Sequence, residues 1–536
     1  MGPPWTRRHE SALVSQVVEV RKGTYHDSVT LMQLSQELNA RTDVTTALVA
    51  MATELNLSML DDMGFDRPAD STPNDLVVAL DVADEAAAKA ALDALDAAMS
   101  RQPARGGGLG GQGLPPPPTV GSAARRAEAT LALISTPGRV AALDAADALA
   151  SGLDVMVFSD NVPLSHEIAL KDMASTLGRL VMGPDCGTAV VDGVGLGFAN
   201  LVRPGPVGIV AASGTGAQQL LALLDGADVG VSHCLGVGGR DLSSQVRGRS
   251  TLAALDRLAA DDTVTTIVVV SKPPASEVAD LVSRHAESLG KPVILGFLAA
   301  GRPDLTATAA EVVEAVGSTW EDPRRWGSAR SVVEPVVELV ETVEPVVETV
   351  ETVETVETVE TTARPGTTAG SGYLRGLFTG GTLCDEAMLI AADSVGVLFS
   401  NIPLTGHRRL DDDLASRGHT FIDFGDDRLT VGRPHPMIDP TLRLERLVRE
   451  LDDPQCAVVL LDVVLGYGAH ADPASDLAAV IRASDKPVVI SLIGTRDDPQ
   501  GLEPTATRLA ESGAVVHASN AAAAREAVAL LGGSSA

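Results

Sequence analysis

Aromatic residues are scarce in this chain of 536 residues: phenylalanine, tryptophan and tyrosine make up only 3% of it, although 45% of the residues are hydrophobic. A core with so few rings must rely on alanine, valine, leucine and isoleucine, which is typical of α/β proteins with parallel sheets. The length suffices for about three domains. The sequence therefore predicts a multidomain α/β fold.

Cysteine and positive charge are also in short supply. The four cysteines lie far apart and form no CxxC pair, so neither a zinc knuckle nor a disulfide framework is expected, and no metal site is predicted. Acidic residues outnumber basic ones by 71 to 41, which gives a net charge of −30. Such a charge argues against nonspecific nucleic-acid binding, and solubility is the simplest role for most of it.

Long hydrophobic runs are absent as well. No stretch of eighteen apolar residues occurs, and the first residues, MGPPWTRRHESALVSQ, lack the apolar segment of a secretory signal. We therefore expect a cytoplasmic protein without a membrane partner.

Composition divides the chain into folded segments and two linkers. The linker at 100–122 is rich in glycine and proline, and the linker at 326–368 holds a Val-Glu-Thr repeat whose period of three fits neither strand nor helix. Evenly spaced glutamates repel, so disorder is expected in the repeat, with a short irregular helix as the alternative. The folded segments are 17–99, 123–180, 181–325 and 370–533. Their alternating strands and helices predict several doubly wound parallel sheets, of Rossmann or flavodoxin type.

Two similar strand–turn–helix patterns suggest anion binding. An apolar strand at 207–212 runs into SGTG and a helix, and a longer one at 457–464 runs into LGYG and a helix. Small turn residues let backbone amides approach an anion, and the helix behind adds unpaired N–H groups. An ordinary βα turn with an N-cap is the alternative for the first pattern. We predict phosphate contacts from Ser213, Gly214, Thr215, Gly216, Gly466 and Gly468.

Two further loops carry candidate substrate contacts. Gly238 and Gly239 precede Arg240, whose guanidinium could clamp a carboxylate or phosphate, unless it simply pairs with the aspartate that follows. In the loop MGPDCGT, Asp185 and Cys186 are candidates for the same role. The thiol could be a nucleophile if its pKa were lowered, and a buried structural thiol is the alternative.

Three residues are candidates for catalysis. Pro434 and Pro436 rigidify the loop RPHP and so hold Arg433 and His435 in fixed directions. His470, in the loop GYGAH, is a candidate general acid or base, and a solvent-facing loop histidine is the alternative.

Five motifs in order resemble those of the FdrA family: MGPDCGT, GIVAASGTGAQ, GVGGRDL, VGRPHPMIDPTLR and DVVLGYGAHADP. That family belongs to the superfamily of succinyl-CoA synthetase and other NDP-forming acyl-CoA synthetases. The resemblance covers about residues 17–320 and 370–533. It implies a CoA-binding-like segment at 123–180, an alpha-subunit-like ligase domain at 181–325 and a beta-subunit-like one within 370–533. It also implies that two helix N-termini, one from each ligase domain, face a shared phosphate, with 466–470 opposite 213–216.

The chain departs from succinyl-CoA synthetase in three ways. The phosphate-carrying histidine expected after the strand at 292–297 is missing, because that region reads GFLAAGRPDLTATAAEVVEA. No stretch resembles an ATP-grasp domain, and the Gly-rich turn typical of CoA binding is not visible. ATP-driven acyl-CoA synthesis by this chain alone is therefore not expected, and CoA is left as an open ligand.

FdrA-type proteins are linked to oxamate carbamoyltransferase, which moves a carbamoyl group between oxalurate and phosphate in purine and allantoin breakdown. The resemblance implies phosphate and carbamoyl phosphate as substrates, no certain cofactor, and companion protein subunits. Phosphate as acceptor requires an anion site and neither an ATP domain nor a phosphohistidine. The alternatives are an acyl-CoA ligase subunit completed by a separate ATP-binding chain, and a non-catalytic scaffold that binds a phosphorylated metabolite.

Overall fold

The computed structural model describes residues 15–24, 28–39, 41–101, 117–328, 372–430 and 433–532. The chain divides into two units, 1–117 and 118–536. The Val-Glu-Thr repeat and the middle of the Gly/Pro linker lie outside the described residues, so the prediction of disorder there is not tested.

The first unit is built on a three-stranded antiparallel sheet. Its elements are β1 (Ser15–Arg21), α1 (Ser28–Asn39), β2 (Val44–Met51), α2 (Glu54–Asp62), β3 (Leu76–Val82) and α3 (Glu85–Arg101). The strand order is β1-β3-β2, and β3 runs antiparallel to both neighbours. The prediction of a parallel sheet is wrong for this unit, because β3 inserts between the two strands that α1 connects, as in a split βαβ motif.

The second unit begins with a small parallel sheet and a six-stranded sheet. The small sheet contains β4 (Leu131–Ile134), β5 (Asp154–Val157) and β6 (Val181–Met182). Its helices are α4 (Val120–Ala124), α5 (Gly138–Ala150) and α6 (Leu164–Leu177). The six-stranded sheet contains β7 (Thr188–Val191), β8 (Val194–Gly197), β9 (Val207–Ala212), β10 (Val231–Gly236), β11 (Thr266–Ser271) and β12 (Val293–Phe297). Its helices are α7 (Gly214–Gly226), α8 (Arg249–Ala260), α9 (Ser276–Glu287) and α10 (Leu305–Ala315). Its strand order is β12-β11-β9-β10-β7-β8.

The second unit ends with an eight-stranded sheet. Its elements are β13 (Arg325–Trp326), β14 (Tyr373–Phe378), α11 (Gly381–Val395), β15 (Phe399–Ser400), β16 (Arg408–Arg409), β17 (Thr420–Asp423), α12 (Asp427–Thr430), α13 (Thr441–Asp452), β18 (Cys456–Val464), α14 (Pro473–Arg482), β19 (Val488–Ile493), α15 (Leu502–Glu511), β20 (Val515–His517) and α16 (Asn520–Leu531). The order is β13-β20-β19-β18-β14-β17-β15-β16. Every pair is parallel except β13 with β20.

One hydrophobic core joins the two large sheets. It contains Ile209 from β9, Leu220 from α7, Leu383 from α11 and Leu460 from β18, all fully buried. Helices α7, α10, α11 and α16 therefore form a layer that both sheets share, while separate cores cover the outer face of each sheet. This layering confirms the predicted doubly wound α/β architecture for the second unit. It also brings the N-terminal ends of α7 and α11 together.

Candidate functional site

Helices α7 and α11 begin at the same point in space. Ser213 caps α7, because its Oγ accepts a hydrogen bond from the Gly216 N–H at 2.9 Å. The same hydroxyl donates to Thr382 Oγ1, in the first turn of α11, at 2.6 Å. A Cβ on Gly380 would collide with the side chain of Thr215. The positive ends of two helix dipoles thus meet between residues 213–216 and 379–382, which we call the helix junction.

The second half of the helix junction is the turn at 379–382, which the sequence analysis did not single out. No side chain caps α11. The Thr379 N–H and Oγ1 both donate to the Asp462 carboxylate, at 2.9 and 3.0 Å, and Arg443 Nη1 donates to that carboxylate at 2.7 Å. The turn is therefore braced from β18 and α13. The signal was present in the sequence, since YLRGLF followed by TGGT and a helix repeats the pattern of the first turn.

The nearest neighbours of Gly466 and Gly468 are residues 197–200 and not 213–216. A Cβ on Gly466 would sit 2.6 Å from the Ala199 carbonyl oxygen, and one on Gly468 would sit 3.0 Å from the Phe198 ring. The expected opposition of 466–470 and 213–216 is therefore corrected: 379–382 occupies that place. The reason is topological, because the helix that follows β18 packs into the outer core, whereas the helix that follows β14 packs into the shared layer. A phosphate contact from either glycine stays a prediction.

Lys272, at the end of β11, reaches the helix junction. A Cβ on Gly381 would collide with Lys272 Nζ and would lie 2.8 Å from Asp423 Oδ2. Within the part of the chain that the structure describes, Nζ has no hydrogen bond and no carboxylate within 4 Å. Burial lowers the pKa of Lys272, but Asp385, Asp423 and Asp185 together raise it above its ordinary value. Among the described residues, the ammonium is therefore a charged donor without a direct partner.

Carboxyl groups surround this ammonium. Asp423 and Asp385 are 4% exposed, and burial is the largest effect in raising their pKa values to about 7 and about 6. Asp185 is exposed. Partial desolvation and the charges of Asp427 and Asp160 act to raise its pKa above the ordinary value. Carboxyls that titrate near neutrality around an ammonium are typical of a functional site.

Cys186 is a structural thiol. Its side chain is buried, and its Sγ donates to the Thr188 carbonyl at 3.5 Å. Burial raises its pKa far above the ordinary range, so the thiolate needed for nucleophilic attack does not form near neutral pH. The structure thus supports the buried-thiol alternative, while the neighbouring Asp185 is exposed.

Arg240 lies beside Asp185 but is partly engaged already. Its Nη2 contacts Glu167 Oε2 at 2.9 Å and the Val162 carbonyl at 2.8 Å, and its side chain is 46% exposed. The alternative pairing with Asp241 does not occur, because the carboxylate of Asp241 is buried and binds Lys171 Nζ at 2.7 Å. Arg240 is therefore oriented, with the rest of its guanidinium open to a ligand.

The two glycines before Arg240 differ in their roles. Gly238 has a φ of +89°, and a Cβ there would lie 2.5 Å from the Pro184 carbonyl oxygen. Its lack of a side chain lets the loop pack against 183–184. Gly239 has open space around it. A substrate contact from either stays a prediction.

His435 lies next to the helix junction. Its ring packs on Phe198 with centroids 5.3 Å apart, and its Nε2 is 3.0 Å from the position a Cβ on Gly425 would occupy. Its Nδ1 accepts a hydrogen bond from the Met437 N–H at 3.3 Å, so the ring proton belongs on Nε2. Burial lowers its pKa to about 4. At neutral pH His435 is therefore an uncharged hydrogen-bond donor.

The other two catalytic candidates are placed differently. Arg433 is exposed, and only its backbone N–H, bound to the Thr430 carbonyl at 3.0 Å, has a partner among the described residues. His470 is half-buried, and its Nδ1 accepts from the Asp472 N–H at 3.2 Å. Its backbone N–H binds the Met437 carbonyl at 2.7 Å, which ties this loop to the one that carries His435. Catalytic roles for Arg433 and His470 stay predictions.

The described ranges contain no group of three or more His, Cys, Asp or Glu side chains that could hold a metal ion. No described helix is long and apolar enough to span a bilayer.

Two family models match the chain. The model described as CoA-ligase matches residues 377–530, which begin at the end of β14 and include the whole of α11. The model described as AllF, heavy metal-associated domain, matches residues 14–113. That matched region contains no cysteine, the usual soft ligand for heavy metals.

Individual proteins are similar to this chain over nearly all of its length or over part of it. It is 36% identical to the uncharacterized protein YahF of Escherichia coli over 519 residues, which is 95% of this chain and 97% of YahF. It is 28% identical to the alpha subunit of the ADP-forming succinate–CoA ligase of Methanothermobacter thermautotrophicus, over 28% of this chain and half of that subunit. A solved structure of ATP citrate lyase from Methanothrix soehngenii, in complex with citrate and coenzyme A, aligns with 38% of this chain and 43% of its own, at 16% identity and a TM-score of 0.31.

The match to YahF runs over nearly the full length of both chains, and the ligase matches agree with the doubly wound sheets around the helix junction. The chain belongs to the FdrA-like family of YahF, within the superfamily of succinyl-CoA synthetase and related CoA ligases.

Proposed function

We propose that this chain is an enzyme subunit that transfers an acyl-type group to or from phosphate, and that the group is carbamoyl. The observation that carries the proposal is the meeting of two helix N-termini, with Ser213 Oγ 2.6 Å from Thr382 Oγ1. Unpaired N–H groups and the positive ends of two helix dipoles favour a small oxyanion at that point. Phosphate has the size and charge for it.

The surrounding side chains suit the remaining parts of this reaction. Lys272, whose ammonium has no direct partner among the described residues, neutralises charge on phosphate. Arg240 orients the carboxylate of oxalurate or oxamate through the open part of its guanidinium. Neutral His435 donates from Nε2 to the carbamoyl oxygen, where negative charge develops during attack. A histidine that holds its proton on Nε2 acts here as a donor and not as a base.

The comparisons support enzyme chemistry on acyl groups in a multi-subunit setting. Part of the chain is similar to the alpha subunit of an ADP-forming succinate–CoA ligase, a name that implies companion chains. In the proposed reaction a phosphate oxygen attacks the carbamoyl carbon of oxalurate, and the products are carbamoyl phosphate and oxamate. Phosphate itself is the acceptor, so the absence of a histidine from 292–304 and of an ATP-grasp-like segment does not hinder the reaction.

A second candidate is an acyl-CoA ligase subunit completed by a separate ATP-binding chain. The CoA-ligase match at 377–530 favours it, because that match includes one half of the helix junction. Both candidates place a phosphate group at the same point. They differ in the acceptor, which is phosphate in the first and CoA in the second.

Activity measurements separate the two candidates. The chain should be purified from its own cells, with any companion subunits it retains, and supplied either with oxalurate and phosphate or with a carboxylic acid, ATP and CoA. We expect phosphate-dependent release of carbamoyl phosphate and oxamate in the first mixture. An acyl-CoA product in the second mixture alone would establish the ligase instead. Ligand binding with no turnover in either mixture would contradict both and favour a metabolite-binding scaffold.

A further inference from the structure

Asp423 places a buried carboxyl next to the helix junction. It is the last residue of β17 and lies in register with Phe378, the last residue of β14, after which the turn at 379–382 begins. Asn401 clamps its backbone from both sides: the Asp423 N–H donates to Asn401 Oδ1 at 2.9 Å, and Asn401 Nδ2 donates to the Asp423 carbonyl at 2.8 Å. Asp423 is only 4% exposed. The sheet itself therefore fixes where this residue stands.

The two carboxyl oxygens of Asp423 have different surroundings. Oδ1 accepts a hydrogen bond from the Gly425 N–H at 2.9 Å. Oδ2 points toward Gly381, the first residue of α11, since a Cβ there would lie 2.8 Å from it. Among the described residues, no donor binds Oδ2. One oxygen thus holds the carboxyl in place, and the other is an unpartnered acceptor at the N-terminus of a helix.

The ammonium of Lys272 borders the same point, because a Cβ on Gly381 would also collide with its Nζ. In the part of the chain that the structure describes, Nζ and Oδ2 form no direct ion pair. An oxyanion at the N-terminus of α11 therefore meets donors from the backbone and from Lys272, but an acceptor at Asp423. An ionised carboxylate can only accept hydrogen bonds. The anion that fits this arrangement carries a proton of its own.

We propose that Asp423 selects protonated oxyanions, so that hydrogen phosphate binds at the helix junction in preference to sulfate. This selection rests on the proposed function, in which phosphate occupies that point. Hydrogen phosphate presents a P–O–H group that donates to Oδ2, while its other oxygens accept from Lys272 and the helix N–H groups. Sulfate has a similar size and the same charge but no proton, so its oxygen would face Oδ2 as a second acceptor. A site built to hydrogen-bond one group of a ligand rejects the analogue that lacks it.

The conditions of the test follow from the charge state of the carboxyl. Burial, partly offset by Lys272, raises the pKa of Asp423 to about 7. At pH 8 most molecules therefore carry the carboxylate, and inorganic phosphate is mainly hydrogen phosphate. Fluorophosphate is then a dianion of nearly the same shape, with fluorine in place of the hydroxyl group. It removes the proton and keeps the charge, so it tests the selection on the wild type alone.

Calorimetric titration of the full chain at pH 8 should compare inorganic phosphate, sulfate and fluorophosphate. In Asp423→Asn, the amide keeps the shape of the carboxyl and can offer an N–H donor in place of Oδ2. Glu450→Gln is the matched control, because it makes the same change in a buried carboxylate that binds Arg375 Nε at 2.9 Å and Arg446 Nε at 2.6 Å. A loss of stability weakens the binding of every anion alike, so the ratio of the affinities isolates the role of Asp423.

We expect the wild type to bind phosphate at least about a hundredfold more tightly than sulfate or fluorophosphate. Asp423→Asn should bring the affinities for phosphate and sulfate to within about tenfold of each other, and Glu450→Gln should keep the wild-type ratio. A wild type that binds all three anions equally, or an Asp423→Asn variant that keeps the wild-type ratio, would overturn the selection and leave the anion site intact. A wild type that binds no phosphate would overturn the anion site, and the proposed function with it.

Discussion

Lys272 brings a positive charge to the helix junction, and in the proposed function that charge attracts phosphate. We expect Lys272→Met to weaken phosphate binding by about tenfold to a hundredfold, since a hydrogen bond to a charged group contributes about 1.5–3 kcal/mol. Calorimetric titration of the full chain with inorganic phosphate measures this. Lys89→Met, which removes an exposed lysine from α3, should bind phosphate as the wild type does. Equal affinities for the two variants would remove Lys272 from the site.

Gly381 leaves the space that the Lys272 ammonium occupies. In Gly381→Ala the new methyl group would collide with Nζ and approach Asp423 Oδ2 to 2.8 Å, so the lysine must move. We expect phosphate affinity to fall by about as much as in Lys272→Met, although the charge is kept. Gly290→Ala, where a Cβ meets nothing within 4 Å, is the control. Unchanged binding in Gly381→Ala would mean that the position of the ammonium is unimportant.

At the scale of elements, a buried ion network joins α6 to the loop after β10. Lys171 Nζ binds Glu167 at 2.8 Å and Asp241 at 2.7 Å, and all three side chains are at most 1% exposed. Lys171→Met leaves the Asp241 carboxylate buried without its cation, and leaves Glu167 with only the contact to Arg240. We expect a loss of about 3–5 kcal/mol in the free energy of unfolding. Denaturant titration measures the loss.

The matched comparison is an exposed ion pair. Arg508 and Asp472 lie 2.9 Å apart, and about half of each side chain is exposed. Arg508→Met should cost no more than about 1 kcal/mol, because solvent screens exposed pairs. Similar losses in Arg508→Met and Lys171→Met would show that the buried network contributes no more than a surface contact.

Element order along the chain explains which parts of the site could be predicted. The turn at 213–216 was found because its strand and glycines stand out, and it does lie at the helix junction. The glycine turn that meets it lies after β14, whereas the sequence analysis predicts it after β18. The two turns look alike in sequence, because a glycine turn does not show which face of the sheet the following helix covers. Lys272 and Asp423 could not be predicted, because each is a lone residue at a strand end. Only the packing of two sheets on one helix layer brings them together.

The same limit applies to the first unit. Leu31, Leu34 and Leu38 are spaced as on one face of a helix, and all three are buried in α1. The antiparallel order could not be obtained in this way, because βαβ and split βαβ motifs have the same succession of elements and differ only in where the third strand inserts.

At the scale of the whole molecule, buried carboxyls make stability depend on pH. Asp385 and Asp423 have pKa values raised from 3.8 to about 6 and about 7. The folded state therefore binds more protons than the unfolded state between about pH 4 and pH 7, and stability falls as pH rises through that window. We expect a higher melting temperature at pH 6 than at pH 8. Asp385→Asn should reduce the difference, and a melting temperature that rises with pH would contradict the assignment.

The most direct test of the central claim introduces a negative charge at the helix junction. Gly214, the first residue of α7, is exposed, and a Cβ there meets nothing within 4 Å. Gly214→Asp should therefore fold and fill the anion site with its own carboxylate. Gly226→Asp adds the same charge at the other end of the same helix, where a Cβ also meets nothing within 4 Å.

Calorimetric titration with inorganic phosphate should show binding to the wild type and to Gly226→Asp, and none to Gly214→Asp. Undiminished phosphate binding by Gly214→Asp would contradict an anion site at the meeting point of α7 and α11.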